Sequence, residues 1–286
     1  MKIAVLGANG QLGRDLPCAL EGHSITPLTR NEIDVTDHVQ TRAVLMDVRP
    51  DVVVNTTAYH RVDDCEGRPE TAYAVNTLSV LNLVRLANEL DAVLVHFSTD
   101  YVFDGKVCQP YTEKSAPFPL SVYANSKLAG EFLVRAASRK YFLIRTCGLY
   151  GSAGSRGKGG NFVETMLAKA RRGESIQVVD DQVLTPTYTV DLANQIARII
   201  STNHYGLFHI TNEGSCSWYE FARAIFGLSG IEADLSPTTS DLYKTAAIRP
   251  RYSVLENERL KELGLNQMRH WREALAAYLK EMSLSG

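Results

Sequence analysis

Tyr123 and Lys127 stand four residues apart in a stretch whose apolar spacing reads as helix, so both side chains project from one face. A free phenol holds its proton up to about pH 10, and an adjacent ammonium favours the phenolate. The pair therefore suits proton transfer at a reacting oxygen, although Tyr and Lys also fall at this spacing by chance. Upstream, the alternating run Val93, Val95, Phe97 ends in Ser98-Thr99-Asp100. In a parallel sheet such polar residues lie at the carboxyl ends of strands, the edge where ligands bind. Thr99 is then placed to hydrogen-bond a carbonyl oxygen beside Tyr123, and Asp100 to accept from a substrate hydroxyl. The competing reading of Thr99-Asp100 is a helix cap or Asx turn.

A third group of residues belongs with these. The apolar run Ile3 to Leu6 leads into Gly7-Ala8-Asn9-Gly10-Gln11-Leu12-Gly13 and then into helix. Gly7 allows a tight turn, Gly10 lets backbone amides approach a pyrophosphate, and Gly13 lets helix and strand pack closely. The second strand ends in Thr29-Arg30, with no carboxylate for a ribose 2′-hydroxyl, and an arginine there pairs with a 2′-phosphate. NADP(H) is the expected cofactor, with NAD(H) the alternative if Arg30 is only a solvated charge. Asp34-Val35 falls where an adenine edge is held.

These residues need a scaffold that brings strand ends together. Short apolar runs at 3–6, 24–28, 52–55, 93–98 and 141–145 alternate with helical patterns at 12–20, 39–47, 71–89 and 123–137. That order predicts an α/β fold, a doubly wound parallel Rossmann sheet with helices on both faces. Pro17 predicts a kink or a short first helix. The glycine-rich segment 151–160, with Arg156 and Lys158, predicts a flexible connection. We expect a dinucleotide-binding domain over 1–150 and a smaller substrate-binding lobe over 151–286, some of whose segments return to the Rossmann core. In that half, helices are expected at 162–171, 190–200, 217–226, 256–263 and 268–280, and strands at 175–178 and 206–210. The aromatics of Ser217-Trp218-Tyr219-Glu220-Phe221 read as a capping box followed by core residues.

Composition narrows the function. The 286 residues are 45% hydrophobic, and 30 Lys+Arg against 32 Asp+Glu give a net charge of -2. Neither nucleic acid nor an anionic membrane is an expected partner, and a small molecule is. Five scattered cysteines without a CxxC pair or a metal-ligand pattern read as reduced thiols, no metal is expected, and the start lacks signal-peptide features. No apolar run is long enough to span a bilayer. A cytoplasmic enzyme is expected.

Taken together, these motifs resemble the extended short-chain dehydrogenase/reductases, and within them the dTDP-4-dehydrorhamnose reductase family. The matching segments are GANGQLG (7–13), NTTAYHRVDDCE (55–66), STDYVFDG (98–105), YANSKLAGE (123–131), RTCGLYG (145–151), GGNFVETML (159–167), DDQVLTPTY (180–188) and AIRPRYSVL (247–255). The resemblance implies NAD(P)H-dependent reduction of the C4 keto group of a nucleotide sugar. It makes Tyr123 the proton donor, Lys127 its pKa-lowering and ribose-binding neighbour, and Thr99 a group that tunes the tyrosine or orients the carbonyl. It implies cofactor contacts at Gly10, Gln11, Leu12, Asp34, Val35, Ala58, Tyr59, His60 and Phe97. It implies sugar contacts at Thr99 and Asp100, a loop beside the sugar at Val62, Asp63 and Glu66, and diphosphate contacts at Asn161 and Arg249.

Three positions depart from the family pattern: Gly148 replaces a common tryptophan, Leu184 a glycine, and His60 a threonine. Two other readings share the fold: a reductase or epimerase for a different nucleotide sugar, and a non-catalytic binding subunit. A monomer or homodimer is expected.

Overall fold

The structure, a computed structural model, describes residues 1–153 and 160–284. Arg156 and Lys158 of the glycine-rich segment lie outside the described residues. Six strands form the main sheet: β1 (Lys2–Leu6), β2 (Ser24–Leu28), β3 (Val52–Asn55), β4 (Val93–Thr99), β5 (Tyr141–Thr146) and, from the C-terminal half, β10 (Gly206–His209). All pair in parallel, in the order β10-β5-β4-β3-β1-β2. Parallel neighbours require crossovers. Helices α1 (Gln11–Ala19), α2 (His38–Val48), α5 (Ser79–Glu89), α6 (Val122–Ala137) and α8 (Thr189–Ile199) flank the sheet.

Both sheet faces are covered, which is why Val52, Val53 and Val54 are buried without alternation. On one face Val5, Val54, Phe97 and Ile144 pack with Leu16 of α1 and Ile196 of α8. On the other, Leu6, Val53, Leu94 and Leu143 pack with Leu83 of α5 and Val134 of α6. The fold is thus a doubly wound Rossmann sheet, and its strand order reverses beside β1, where such sheets open a binding crevice. α1, which contains Pro17, is short at nine residues.

The stretch expected as one helix over 71–89 is divided. α3 (Val62–Gly67) and α4 (Pro69–Tyr73) lead into a π-helical turn, Ala74–Leu78, before α5 begins. The widened turn meets α6 at Gly130, where an added Cβ would lie 2.4 Å from the carbonyl oxygen of Asn76. It carries the Asn76 amide inward, where Oδ1 accepts from the Tyr59 backbone N–H at 2.9 Å and Nδ2 donates to Ser126 Oγ at 3.0 Å. The local irregularity therefore holds the loop after β3, a frequent use of π turns.

A second core joins Tyr150, Val163, Phe221, Ile225, Trp271 and Tyr278. It lies among α7 (Phe162–Arg171), α9 (Trp218–Ser229) and α11 (Trp271–Leu284), with β7 (Ile176–Val179) paired to β12 (Leu235–Thr238). Short ladders, β6 (Leu149–Tyr150) with β9 (Thr187–Tyr188) and β8 (Val183–Leu184) with β11 (Cys216–Ser217), lie between this core and the sheet. α10 (Glu258–Glu262) packs against β10. Capping boxes start α7 at Asn161 and α9 at Ser217. No helix among the described residues is long and apolar enough to cross a membrane.

Candidate active site

One cavity of about 960 Å³ runs along the carboxyl ends of the strands and under α7 and α9. At its first end, Gly7 has φ +78°, and a Cβ there would lie 2.6 Å from Thr56 Oγ1. A Cβ on Gly13 would lie 2.3 Å from the Gly7 carbonyl oxygen, so Gly13 packs the turn while Asn9, Gly10, Gln11 and Leu12 line the cavity. Gly10 is the N-cap of α1 and supplies no capping side chain. The first-turn amides are left for an anionic ligand, which the helix dipole also attracts.

Arg30, Asp34 and Val35 form the rim beyond the glycine turn. Arg30 is 86% exposed and pairs with Asp34 at 3.3 Å. Thr36, through its hydroxyl and its backbone N–H, holds the Asp34 carboxyl below its ordinary range, with Arg30 adding a smaller effect. The Asp34 carboxylate is therefore occupied by the protein's own donors. Ala58, Tyr59, His60 and Val62 line the next stretch, and Phe97 lies beneath it.

Tyr123 sits in the first turn of α6. Ser121 caps that turn through Ala124 N–H at 3.2 Å, and Glu66 Oε1 accepts from Val122 N–H at 2.9 Å. Glu66, expected beside the sugar, thus anchors the helix. Tyr123 is hydrogen-bonded to Thr99. Thr99 Oγ1 donates to Asp100 Oδ1 at 3.0 Å, and Cys147 Sγ donates to Asp100 Oδ2 at 2.9 Å. Ser253 bonds the same carboxyl.

Two expectations change here. Lys127 does not acidify Tyr123 in the protein by itself: burial, followed by the charge of Asp100, pushes the phenol up, and the Thr99 bond only partly offsets them. Lys127 is 2% exposed, forms no ion pair among the described residues, and is pushed down to about 8 by its own burial. Asp100 is 3% exposed and takes its hydrogen bonds from Thr99, Cys147 and Ser253, so its carboxyl is engaged within the protein rather than held open for a substrate hydroxyl. Burial raises it.

The residues expected at the diphosphate are also engaged. Arg249 forks onto Asp63 at 2.6 and 3.1 Å, and Asp63 further accepts from Ala247 N–H at 3.0 Å. Neither Asp63 nor Arg249 lines the cavity, and each neutralises the other. Arg249 also bonds Tyr101, whose ring meets Tyr123 edge-on at 6.2 Å. Asn161 is at the wall, but its amide donates to Gly151 O at 3.0 Å and Tyr278 Oη at 2.9 Å and accepts from Glu164 N–H. It is a helix cap first.

Gly148 and Leu184, two of the departures from the family pattern, touch one another. Gly148 has φ +54°, and a Cβ there would lie 3.0 Å from Leu184 Cδ1 and 3.2 Å from Pro186 Cα. Leu184 takes the space a side chain at 148 would need, and both line the cavity. Residues that sequence reasoning missed include Asn76, which holds the Tyr59 loop, and the wall residues Phe162, Gln182 and Trp218. Trp218 was visible only as an aromatic behind a capping box. Among the described residues, no group of three His, Cys, Asp or Glu side chains is gathered as metal ligands would be.

The whole architecture has known counterparts. The chain is 40% identical over 284 residues to the spore coat polysaccharide biosynthesis protein SpsK of Bacillus subtilis, covering 99% of this chain and 98% of that protein. Its structure matches a crystal structure of dTDP-4-dehydrorhamnose reductase from Clostridium acetobutylicum, with TM-score 0.95, 40% identity and coverage of 99% and 100%. It matches the Bacillus anthracis dTDP-4-dehydrorhamnose reductase in complex with NADP at TM-score 0.94 and 37% identity, covering 98% and 99%. The model of the RmlD substrate binding domain matches residues 1–284, and the chain belongs to that family.

Proposed function

We propose that this chain uses NADPH to reduce the C4 keto group of dTDP-4-dehydro-β-L-rhamnose to dTDP-β-L-rhamnose. The observation that carries the reading is Tyr123, bonded to Thr99, and the unpaired buried Lys127 on the same helix, both lining one cavity with the glycine turn. The site fits a dinucleotide: the uncapped start of α1 suits a pyrophosphate, and a buried ammonium without an anion suits ribose hydroxyls. When bound, the cofactor supplies a hydride to the carbonyl carbon.

The protein supplies the proton. Tyr123 enters the reaction as a phenol, kept so by burial and Asp100, and gives its proton to the carbonyl oxygen. Thr99 orients that oxygen. The resulting phenolate is stabilised by Lys127 and by the positive end of α6. Ala58, Tyr59 and His60 flank the cofactor, Arg30 meets a 2′-phosphate, and Val62 approaches the sugar. The cofactor-binding part spans 1–150 and the substrate lobe most of 151–286. The protein works as a monomer or homodimer in the cytoplasm, where its cysteines, none of them in a disulfide among the described residues, stay reduced.

NADPH oxidation followed with dTDP-4-dehydro-β-L-rhamnose tests the reading: one NADPH is consumed per dTDP-rhamnose formed. No consumption with this sugar sinks it. A different nucleotide sugar is the second reading, favoured by the Gly148–Leu184 exchange at the wall; turnover of other 4-keto nucleotide sugars alone would select it. The intact set Thr99, Tyr123 and Lys127 argues against a binding-only subunit.

A further inference from the structure

Three distant stretches of chain converge beside Tyr123 on one buried carboxylate, Asp100. Thr99 Oγ1 and Cys147 Sγ reach its two oxygens at 3.0 and 2.9 Å, and Ser253 bonds it from beyond Arg249. Thr99, Asp100, Cys147 and Ser253 all line the cavity, yet none is more than 7% exposed.

Hydrogen-bond polarity decides who donates. The Thr99 hydroxyl oxygen accepts from Tyr101 N–H at 3.2 Å, and its one proton has two claimants, Asp100 Oδ1 and the Tyr123 oxygen. While Tyr123 is a phenol, the carboxylate is the stronger acceptor and takes that proton. Once Tyr123 has given up its own proton, the phenolate competes for it, and a donor to the tyrosine oxygen then stabilises the charge that has formed. Such a turn removes a hydrogen bond from a buried carboxylate, which is unfavourable unless other donors stay behind.

Cys147 is such a donor. Its sulfur accepts from the Thr185 backbone N–H, which leaves the S–H to Asp100. Burial and the charge of Asp100 push the thiol well up, so the proton stays on sulfur. A thiol is a weak donor to neutral partners, but a hydrogen bond to a charge is about twice as strong.

We propose that Cys147 is a positioning residue for the reduction: with Ser253 it holds the Asp100 carboxylate while the Thr99 hydroxyl turns from Asp100 to the tyrosine oxygen. The thiol gives up no proton and forms no covalent bond; only the Thr99 O–H rotates. The inference rests on the reductase reading of this site and adds what lets Thr99 change partner.

The S–H stretching band of the full chain, in an infrared window that other protein groups leave empty, tests the contact without cofactor or turnover. This proposal and the reductase reading therefore fail separately. The difference spectrum between wild type and Cys147→Ser isolates the Cys147 band, expected at lower frequency than an unbonded thiol and moving up in Asp100→Asn. Single-turnover NADPH oxidation with dTDP-4-dehydro-β-L-rhamnose reads the consequence. Cys147→Ala slows it about ten- to a hundredfold, and Cys147→Ser, which keeps a donor, restores most of the rate. The NADPH dissociation constant stays native in both Cys147 variants, which also shows that they fold. A Cys147 band at the unbonded position, a native rate in Cys147→Ala, or a rate in Cys147→Ser as low as in Cys147→Ala overturns the proposal.

Discussion

Helix α6 buries two charges one turn apart, and their surroundings are opposite. Glu131, 0% exposed, is gripped by Arg145 through Nε at 2.9 Å and Nη2 at 2.6 Å. Arg145 in turn lies 5.1 Å over the Phe103 ring and 3.4 Å from His209 Nε2. Burial, then the charge of Arg145, pushes His209 down to about 3, so the imidazole stays neutral and the cluster is closed. Lys127 is equally buried and forms no ion pair among the described residues; the charge of Glu131, committed to Arg145, offsets its burial only in part. A buried charge that finds its partner within the fold is part of the architecture. One that does not is held ready for something that binds.

Breaking the closed pair has the largest expected effect. Glu131→Gln leaves Arg145 buried without its anion and should cost about 3–5 kcal/mol in denaturant unfolding. A loss below about 1 kcal/mol would mean that water reaches the pair.

The open charge should respond in the other direction. The Lys127 value falls from 10.5 to about 8, a burial penalty on the order of 3 kcal/mol. Lys127→Met should remove it and stabilise the cofactor-free protein near neutral pH while turnover collapses. The sign follows from linkage: the folded value lies below the unfolded one, so between about 8 and 10.5 the unfolded chain binds more protons and stability rises with pH. The advantage of the Met variant should therefore shrink across that window. A variant less stable than wild type at pH 7 would show that Lys127 has a partner in the free protein.

The smallest effect is expected at the rim. Arg30 is exposed, and its pair with Asp34 contributes about 0–1 kcal/mol to folding. Arg30→Ala should leave the melting temperature in place and reduce the preference for NADPH over NADH by about tenfold. Unchanged cofactor preference would make Arg30 a solvated charge only.

The sheet was legible because strand and helix periods differ and because glycines and polar residues punctuate strand ends. Gly7 to Gly13, Thr99, Tyr123 and Lys127 could be picked out because their chemistry depends on local spacing. The environment of those groups was not legible: spacing places an ammonium near Tyr123 but does not report that both are buried, nor that Asp100 lies beside the phenol. Partners distant in the chain escaped for the same reason. Arg249 and Asp63, 186 residues apart, read as two separate ligand contacts until folding joined them. Trp218 looked like core because its cap and its apolar ring are common to buried helices; only the fold shows one side of that ring facing the cavity.

On the proposed reading, the Tyr123 phenol delivers the proton while contributing little to holding the dinucleotide. Single-turnover NADPH oxidation by Tyr123→Phe with dTDP-4-dehydro-β-L-rhamnose, measured beside the NADPH dissociation constant of the same preparation, tests it most directly. The expected result is a native dissociation constant and a rate lower by at least about a hundredfold. A native rate would contradict it.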